Sequence, residues 1–491
     1  MSLSALDYVV IAVYLLAITA FGSWFARYQK TTRDYFLTDR SIPWWAICFT
    51  IVATETSTLT FIGIPATAYA GNMTFLQLAL GYIIGRLLVS VLFIPAYFRG
   101  ELFTSYELLQ RRFGTRVKTL AALIFLITRS LADGIRLFTT ALVIAVVTQV
   151  PVTWVVIILG AAMILYTMRG GVSAVIWTDV VQMFVYIAGA AAVAVALLNR
   201  IPGGWAEVVR VGRETGRFAF IDLGGQPGSL VPFHLPIDLS KAYTLWAGLF
   251  GGVALTLATH GTDQFLVQRL LSARSAREAS RGLILSGFIV FAQFVLFLLI
   301  GVMLYTFYLQ APVPQMLTRT DQILPVFVVS QLNHGLAGFI VAAIVAAALS
   351  PSLNAMAATT ISDFYLPYVN PGADQATQMR VSKQATVAWG IVQLGVAIGA
   401  QWMERSVLDA GLAVLSFASG SVLGAFLLGT LSPSVSERDT LLGMIAGLVV
   451  MTAVWWDGSV AFTWYVLIGA VTTCAVAWLS SMVAPRRAPA V

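Results

Sequence analysis

The chain has 491 residues, 59% of them hydrophobic and only 10% charged, with a formal net charge of +7. Soluble domains carry roughly 25% charged residues, so a soluble enzyme or nucleic-acid-binding module is excluded, and the chain reads as an all-α polytopic membrane protein. The positive balance is then a signal of topology, and two isolated cysteines, Cys48 and Cys474, offer neither a disulfide framework nor metal-ligand spacing.

Apolar runs of a length to cross a ~30 Å hydrocarbon core predict about thirteen spans, near 6–26, 43–70, 74–98, 118–148, 152–168, 172–199, 242–262, 283–308, 336–366, 384–402, 407–430, 440–456 and 460–483. The first has Asp7 and no Lys or Arg at its front, so it is expected to stay as a helix and not be removed as a signal. The loop 200–241 is rich in Gly and Pro, with a short helix expected from Trp205 to Arg213. An odd number of spans puts the termini on opposite sides. Nineteen basic residues fall in one set of loops, among them Arg27, Arg40, Arg99, Arg111, Arg112, Arg116, Lys118, Arg169 and Arg269, against seven in the other. The positive-inside rule therefore predicts an outside amino terminus and a cytoplasmic carboxyl terminus in a plasma (inner) membrane. No Walker motif and no long cytoplasmic stretch is present, so ATP-driven transport has no engine in this sequence.

The second span is interrupted. Ala53 to Pro65 holds Thr54, Glu55, Thr56, Ser57, Thr58, Thr60, a Gly and a Pro between apolar flanks. Irregular backbone at membrane depth survives only where it lines a cavity or is buried in protein, and a mid-span acid costs roughly 2.5 to 3.5 kcal/mol on insertion scales. The stretch therefore predicts a broken helix facing a binding site. A second interruption, Thr256 to Gln264, closes the seventh span, five spans later. Two broken helices at matching places in two five-span halves are the mark of inverted repeats around a mid-membrane site. The expected organisation is a single transmembrane unit over 1–491: an extra amino-terminal helix (6–26), a first repeat (43–199), a second (242–430) and two carboxyl-terminal helices (440–483).

Four stretches carry a resemblance. Residues 166–182 contain Arg169-Gly-Gly171, a sharp turn that glycine permits, followed by Thr178, Asp179 and Gln182 on one helical face. With Asp34 to Trp45, Gly261 to Ala273 and Leu353 to Asp363, they resemble the sodium/solute symporter family of sodium-coupled sugar, proline, pantothenate, iodide and sialic-acid carriers. The resemblance spans nearly the whole chain and implies a LeuT-type 5+5 inverted-repeat bundle working by alternating access. It implies a sodium site built from the carbonyls of Ala53 and Thr56 and from two ninth-span hydroxyl positions, which here are Ala347 and Ala348 and offer no hydroxyl. Three readings follow: a site remodelled with Ser350, a carbonyl freed by Pro351 or Glu55; a lower site alone; or loss of sodium coupling. A lower cation site of the family would fall on Asp179 and Ser350.

For solute, Ser57 and Thr60 match family contact positions, and Gln77 and Gln264 are added as candidates. Arg129, Asp133 and Arg136 lie on one face of the fourth span, where charges inside a membrane are functional by default. A guanidinium fork there would read a carboxylate, as an Arg of this region does in sialic-acid carriers; an Arg–Asp–Arg network holding helices together is the alternative. His260 is either a proton carrier or a satisfied hydrogen-bonder. The expected function is inward symport of a small polar solute, sugar or organic anion, with sodium as coupling ion and no other cofactor. The alternatives are a sodium-independent or proton-coupled carrier and a transporter-like solute sensor. No nucleophile–base pair or metal spacing points to an enzyme.

Overall fold

The computed structural model describes residues 3–28, 31–100, 102–224, 237–312, 320–348, 352–402, 407–432 and 434–483. Regular structure among them is helical, apart from one isolated bridge between Ile42 and Ala273. α1 (Ala5–Trp24) starts at Ser4, whose hydroxyl and the Asp7 carboxylate cap each other's backbone amides. α2 (Trp44–Glu55) and α3 (Thr58–Ala70) form the expected broken helix and are bent by 57°. Thr56 and Ser57 between them take extended backbone angles. Short hydroxyl side chains offer the backbone partners outside the helical ladder, which is why such a run breaks a helix here.

α4 (Leu76–Leu92) and the short α5 (Tyr106–Arg112) lead to α6 (Thr115–Thr148). α7 (Val152–Arg200) covers two expected spans in one 49-residue element. At 1.5 Å per residue that is ~73 Å, more than twice the hydrocarbon thickness. The expected turn at Gly170–Gly171 is a kink: only Gly171 leaves helical angles, at φ 59°, a value glycine takes without strain. The helix foreseen at 205–213 is present as Gly204–Glu214.

The second half begins with a π-helical stretch, Ala247–Gly252, running into α8 (Val253–Gly261). The chain breaks again at Thr262–Asp263 before α9 (Gln264–Leu271). α10 (Ala276–Gln310) follows, and then α11 (Leu336–Ala348) and α12 (Leu353–Thr359), which together carry the span expected over 336–366. α13 (Gln375–Gly399), α14 (Val407–Leu431), α15 (Glu437–Asp457) and α16 (Tyr465–Val483) complete the order.

Among the described residues, seven helices are long and apolar enough to cross a membrane, or eight with the α2–α3 pair as one span. Other expected spans fall on helices that are shorter or more polar. α4 has 17 residues, and α6 carries Arg129, Asp133 and Arg136 in its middle. α10 packs against α2, α3 and α4, while α6 lies against α7, α13 and α14, so both breaks face α6 from inside the bundle.

Candidate functional site: a cavity between two helix breaks

A helix end leaves backbone carbonyls without intrahelical donors, and both breaks put such ends at one place. At the first, the Ser57 amide turns to the Glu55 carbonyl at 3.1 Å, which takes it away from Ala53, its helical partner four residues back. The Thr60 hydroxyl also bonds the Glu55 carbonyl at 3.2 Å, and the Ser57 amide reaches the Thr60 hydroxyl at 3.3 Å. At the second, Tyr97 donates to the Gly261 carbonyl, Ser105 donates to that of Thr262 at 3.1 Å, and Asp263 caps α9 through the Phe265 amide at 2.8 Å. Between the breaks lies a cavity of about 140 Å³, lined by Thr54, Glu55, Ser57, Thr60, Tyr82, Arg129, Asp133, Arg136, Thr256, Thr259, His260 and Phe265, with apolar neighbours from α8, α9 and α14.

Three buried ionic groups surround it. Glu55, at the end of α2, pairs with Arg86 of α4, and His260 Nε2 stands 3.3 Å from the same guanidinium and 3.7 Å from the carboxylate. Thr259 holds the other His260 nitrogen at 2.9 Å. In the second group, Arg129 bonds Asp133 one turn away at 3.0 Å and Asp263 at the second break at 3.2 Å, while lying 4.2 Å over the Phe265 ring. Asp133 also accepts from Ser352, and Arg136 donates to the Thr54 carbonyl at 3.2 Å. In the third, one oxygen of Asp179 accepts from Thr50 at 2.6 Å, Thr54 at 3.3 Å and Arg269 at 3.0 Å. Each charge sits in low dielectric, where leaving a partner out costs several kcal/mol.

The structure thus gathers Ser57, Thr60, Glu55, Arg129, Asp133 and Arg136 around one cavity. Gln77 and Gln264 are not in its lining. Gln77 is tied to the Tyr243 carbonyl at 3.0 Å and the Asp222 amide at 3.1 Å, and Gln264 to the Ser105 amide at 2.7 Å and the Phe103 carbonyl at 3.0 Å. Both amides satisfy loop backbone, the ordinary task of a buried Gln. Asp179 meets a guanidinium through one oxygen, and Ser350 lies outside the described residues, as do the side chains of Ala347 and Ala348. The backbone of those alanines ends α11, beside the first break: Thr58 bonds the Ile344 carbonyl at 3.2 Å and receives Thr140 at 2.8 Å. Thr56 gives its side-chain oxygen to Gln293 at 2.6 Å.

Sequence reading missed two cations. Arg269 and Lys118 were counted as loop charges for topology, yet both are buried, Arg269 on Asp179 and Lys118 on Asp363 at 3.3 Å. The available signal was the buried acid each one needs: Asp179 and Asp363 both lie in the family-like stretches.

Comparison with known proteins now has a geometry to rest on. The family model described as the sodium:solute symporter family matches residues 35–447. The chain belongs to the sodium:solute symporter family. As a member it is a multi-pass membrane transporter and not an enzyme. It is 30% identical over 492 residues to the sodium/sialic acid symporter NanT of Aliivibrio fischeri, covering 98% of this chain and 94% of that one. It is 29% identical over 463 residues to the human sodium/iodide cotransporter, covering 91% and 69% respectively. Among solved structures it is similar to a substrate-bound, outward-open Na+-coupled sialic acid symporter, with TM-score 0.89, 26% identity and 98% of both chains covered. A nucleobase-cation-symport-1 family transporter in a closed conformation, at 13% identity and TM-score 0.57, shares the fold alone. The helical bundle with two central breaks is therefore the symporter fold, and its cavity is where this symporter's solute would be sought.

Proposed function

We propose that this symporter carries a small polar solute, a sugar or organic anion, inward with sodium, and that the solute occupies the cavity between the breaks. The observation that carries the reading is the lining: hydroxyls of Ser57, Thr60, Thr256 and Thr259 on one side, the guanidinium groups of Arg129 and Arg136 on the other. Hydroxyls pair with sugar oxygens, and a planar guanidinium suits a carboxylate. Relatives named for sialic acid and iodide transport fit an anionic solute.

Sodium is a second substrate. Its ligands would be the carbonyls of Ala53 and Thr56 and backbone oxygens at the end of α11. The Ala53 carbonyl has lost the Ser57 amide to Glu55. On α11, Pro351 has no amide to give the carbonyl four residues earlier, that of Ala347. A main-chain oxygen would thus stand where relatives of this type place a hydroxyl. Asp179, with Ser350, is kept as a candidate for a lower cation position, because its second oxygen meets no partner among the described residues. The organisation that accompanies this reading is two inverted repeats, 43–199 and 242–430, between an extra amino-terminal helix and two carboxyl-terminal helices, with the amino terminus outside.

The test is uptake of radiolabelled sialic acid, glucose and small carboxylates into proteoliposomes under an inward sodium gradient, with potassium as control. Sodium-driven accumulation of one of them is expected. Ala347 and Ala348 favour a second reading, a sodium-independent or proton-coupled carrier; uptake that ignores sodium and follows an inward proton gradient would establish it in place of the first.

A further inference from the structure

Two cavities lie away from the solute site, and one helix borders both. The first, of about 360 Å³, is lined by Arg99, Arg111 and Arg112 together with apolar Leu108, Leu109 and Phe426 among others, and no carboxylate is among its lining residues. Arg99 and Arg111 are exposed, and Arg112 is half-buried. The second, of about 660 Å³, is an almost wholly apolar cleft between α8, α14 and α16, with Leu257, Leu423, Leu427, Val471 and Trp478 on its walls. Ser432, just past α14, joins them: it lines the apolar cleft, and its carbonyl accepts from Arg112 of the basic cavity at 2.8 Å.

We infer that these two cavities form a binding site for an anionic phospholipid, with the phosphate in the arginine-lined cavity and an acyl chain in the apolar cleft. Basic pockets between transmembrane helices take lipid head groups, and each Lys or Arg near an anionic surface contributes a separate attraction. Arginine offers a planar fork of donors to phosphate oxygens. Arg112 is pre-oriented, since the Ser432 carbonyl and that of Val435 at 3.3 Å fix its guanidinium without supplying negative charge. Arg111 is set by the Arg99 carbonyl at 3.1 Å. The cleft beside them presents hydrocarbon at a depth where the surrounding medium is itself hydrocarbon, so an acyl chain is the occupant at hand. Val471 and Trp478 remain more than half exposed on its rim. The site belongs to the cytoplasmic leaflet on the orientation proposed above; the lipid chemistry does not depend on that orientation.

The full chain, purified in a mild non-ionic detergent, is titrated with phosphatidylglycerol, phosphatidylcholine or inorganic phosphate, and bound lipid is counted by native mass spectrometry alongside Tm. Phosphatidylglycerol is expected to remain bound and raise Tm, because a ligand of the native state stabilises it; the other two should not. The double variant R99Q/R111Q should bind phosphatidylglycerol roughly tenfold to thirtyfold more weakly, the factor that two basic residues supply at an anionic surface. R99K/R111K, which keeps both charges, should retain most of the binding. Equal binding of the two lipids by the native chain, or unweakened binding by R99Q/R111Q, overturns the site. A response to inorganic phosphate as large as that to phosphatidylglycerol shows a free-anion site and overturns the lipid assignment.

Discussion

Glu55 shows how one residue can hold both a break and a charge. Its backbone carbonyl takes the Ser57 amide and the Thr60 hydroxyl, while its side chain neutralises Arg86, which is fully buried. The sequence offered this acid as a cation ligand or proton carrier; the structure gives it a guanidinium partner. Replacing Glu55 with Gln strands a buried cation, which costs about 3 to 5 kcal/mol. A clear fall in Tm is expected in E55Q, with most of it recovered in the double variant E55Q/R86M, where both charges are gone; thermal unfolding in detergent measures both. The alanines ending α11 give a test with the opposite sign. If Ala348 stands at a sodium-facing position, A348S adds a hydroxyl ligand and should lower the sodium KM for uptake about tenfold, the worth of one added charge-assisted bond. An unchanged sodium KM in A348S would move the cation away from the end of α11.

Among the elements, α1 is tied to the bundle at few points. Asp7, Ile18 and Gly22 are its buried residues, and the Asp7 carboxylate does two tasks at once. It completes the cap of α1 through the Ser4 amide at 2.8 Å and hydroxyl at 2.7 Å, and it meets the start of α11 through the Gly335 amide at 2.6 Å and the Gly338 amide at 2.8 Å. A carboxylate at a helix amino terminus is favoured by unpaired amides and by the dipole. Gly338 has to be glycine at this contact, since a Cβ there would come within 2.6 Å of the Asp7 Cα. Lower down, Gly22 faces Tyr166 of α7, and Ile18 shares a cluster with Val345 of α11. α1 therefore straps α7 to α11, the two helices bearing Asp179 and the terminal alanines. D7N keeps the shape and loses the charge, so Tm should fall by an amount matching ~1–2 kcal/mol. The sodium KM should rise as well; a lower Tm with an unchanged sodium KM would show that α1 anchors the bundle without setting the cation site.

At the scale of the whole molecule, α6 links the moving parts that alternating access requires. Arg136 holds the first break through the Thr54 carbonyl, Arg129 holds the second through Asp263, and Asp133 holds Ser352 at the start of α12. The Arg–Asp–Arg face is thus both a network and a cavity wall, two roles that the sequence presented as alternatives. A change of access must stretch or exchange some of these bonds. D263N removes one charge-assisted bond worth about 1.5 to 3 kcal/mol, so the transport rate should change roughly tenfold or more while solute Kd stays within about threefold. Stopped-flow uptake and equilibrium binding on the same preparation separate the two quantities, and an equal change in both would place Asp263 among the solute contacts.

Much of this was legible from sequence because the bilayer imposes strict rules. Apolar length marks spans, and polar or irregular backbone inside a span has to serve a site, so Ala53 to Pro65 and Thr256 to Gln264 located the cavity before any coordinates. The family followed from motifs such as Arg169-Gly-Gly171 and Gly261 to Ala273. Pairing between distant charges was not legible. Nothing local tells that Arg269 turns inward to Asp179 or Lys118 to Asp363, since both cations sit among residues that read as loop. Nor does it tell that Gln77 and Gln264 spend their amides on loop backbone. Local chemistry determined that buried polar groups must find partners; only the tertiary structure decided which partners, because that choice depends on helices brought together from more than a hundred residues apart.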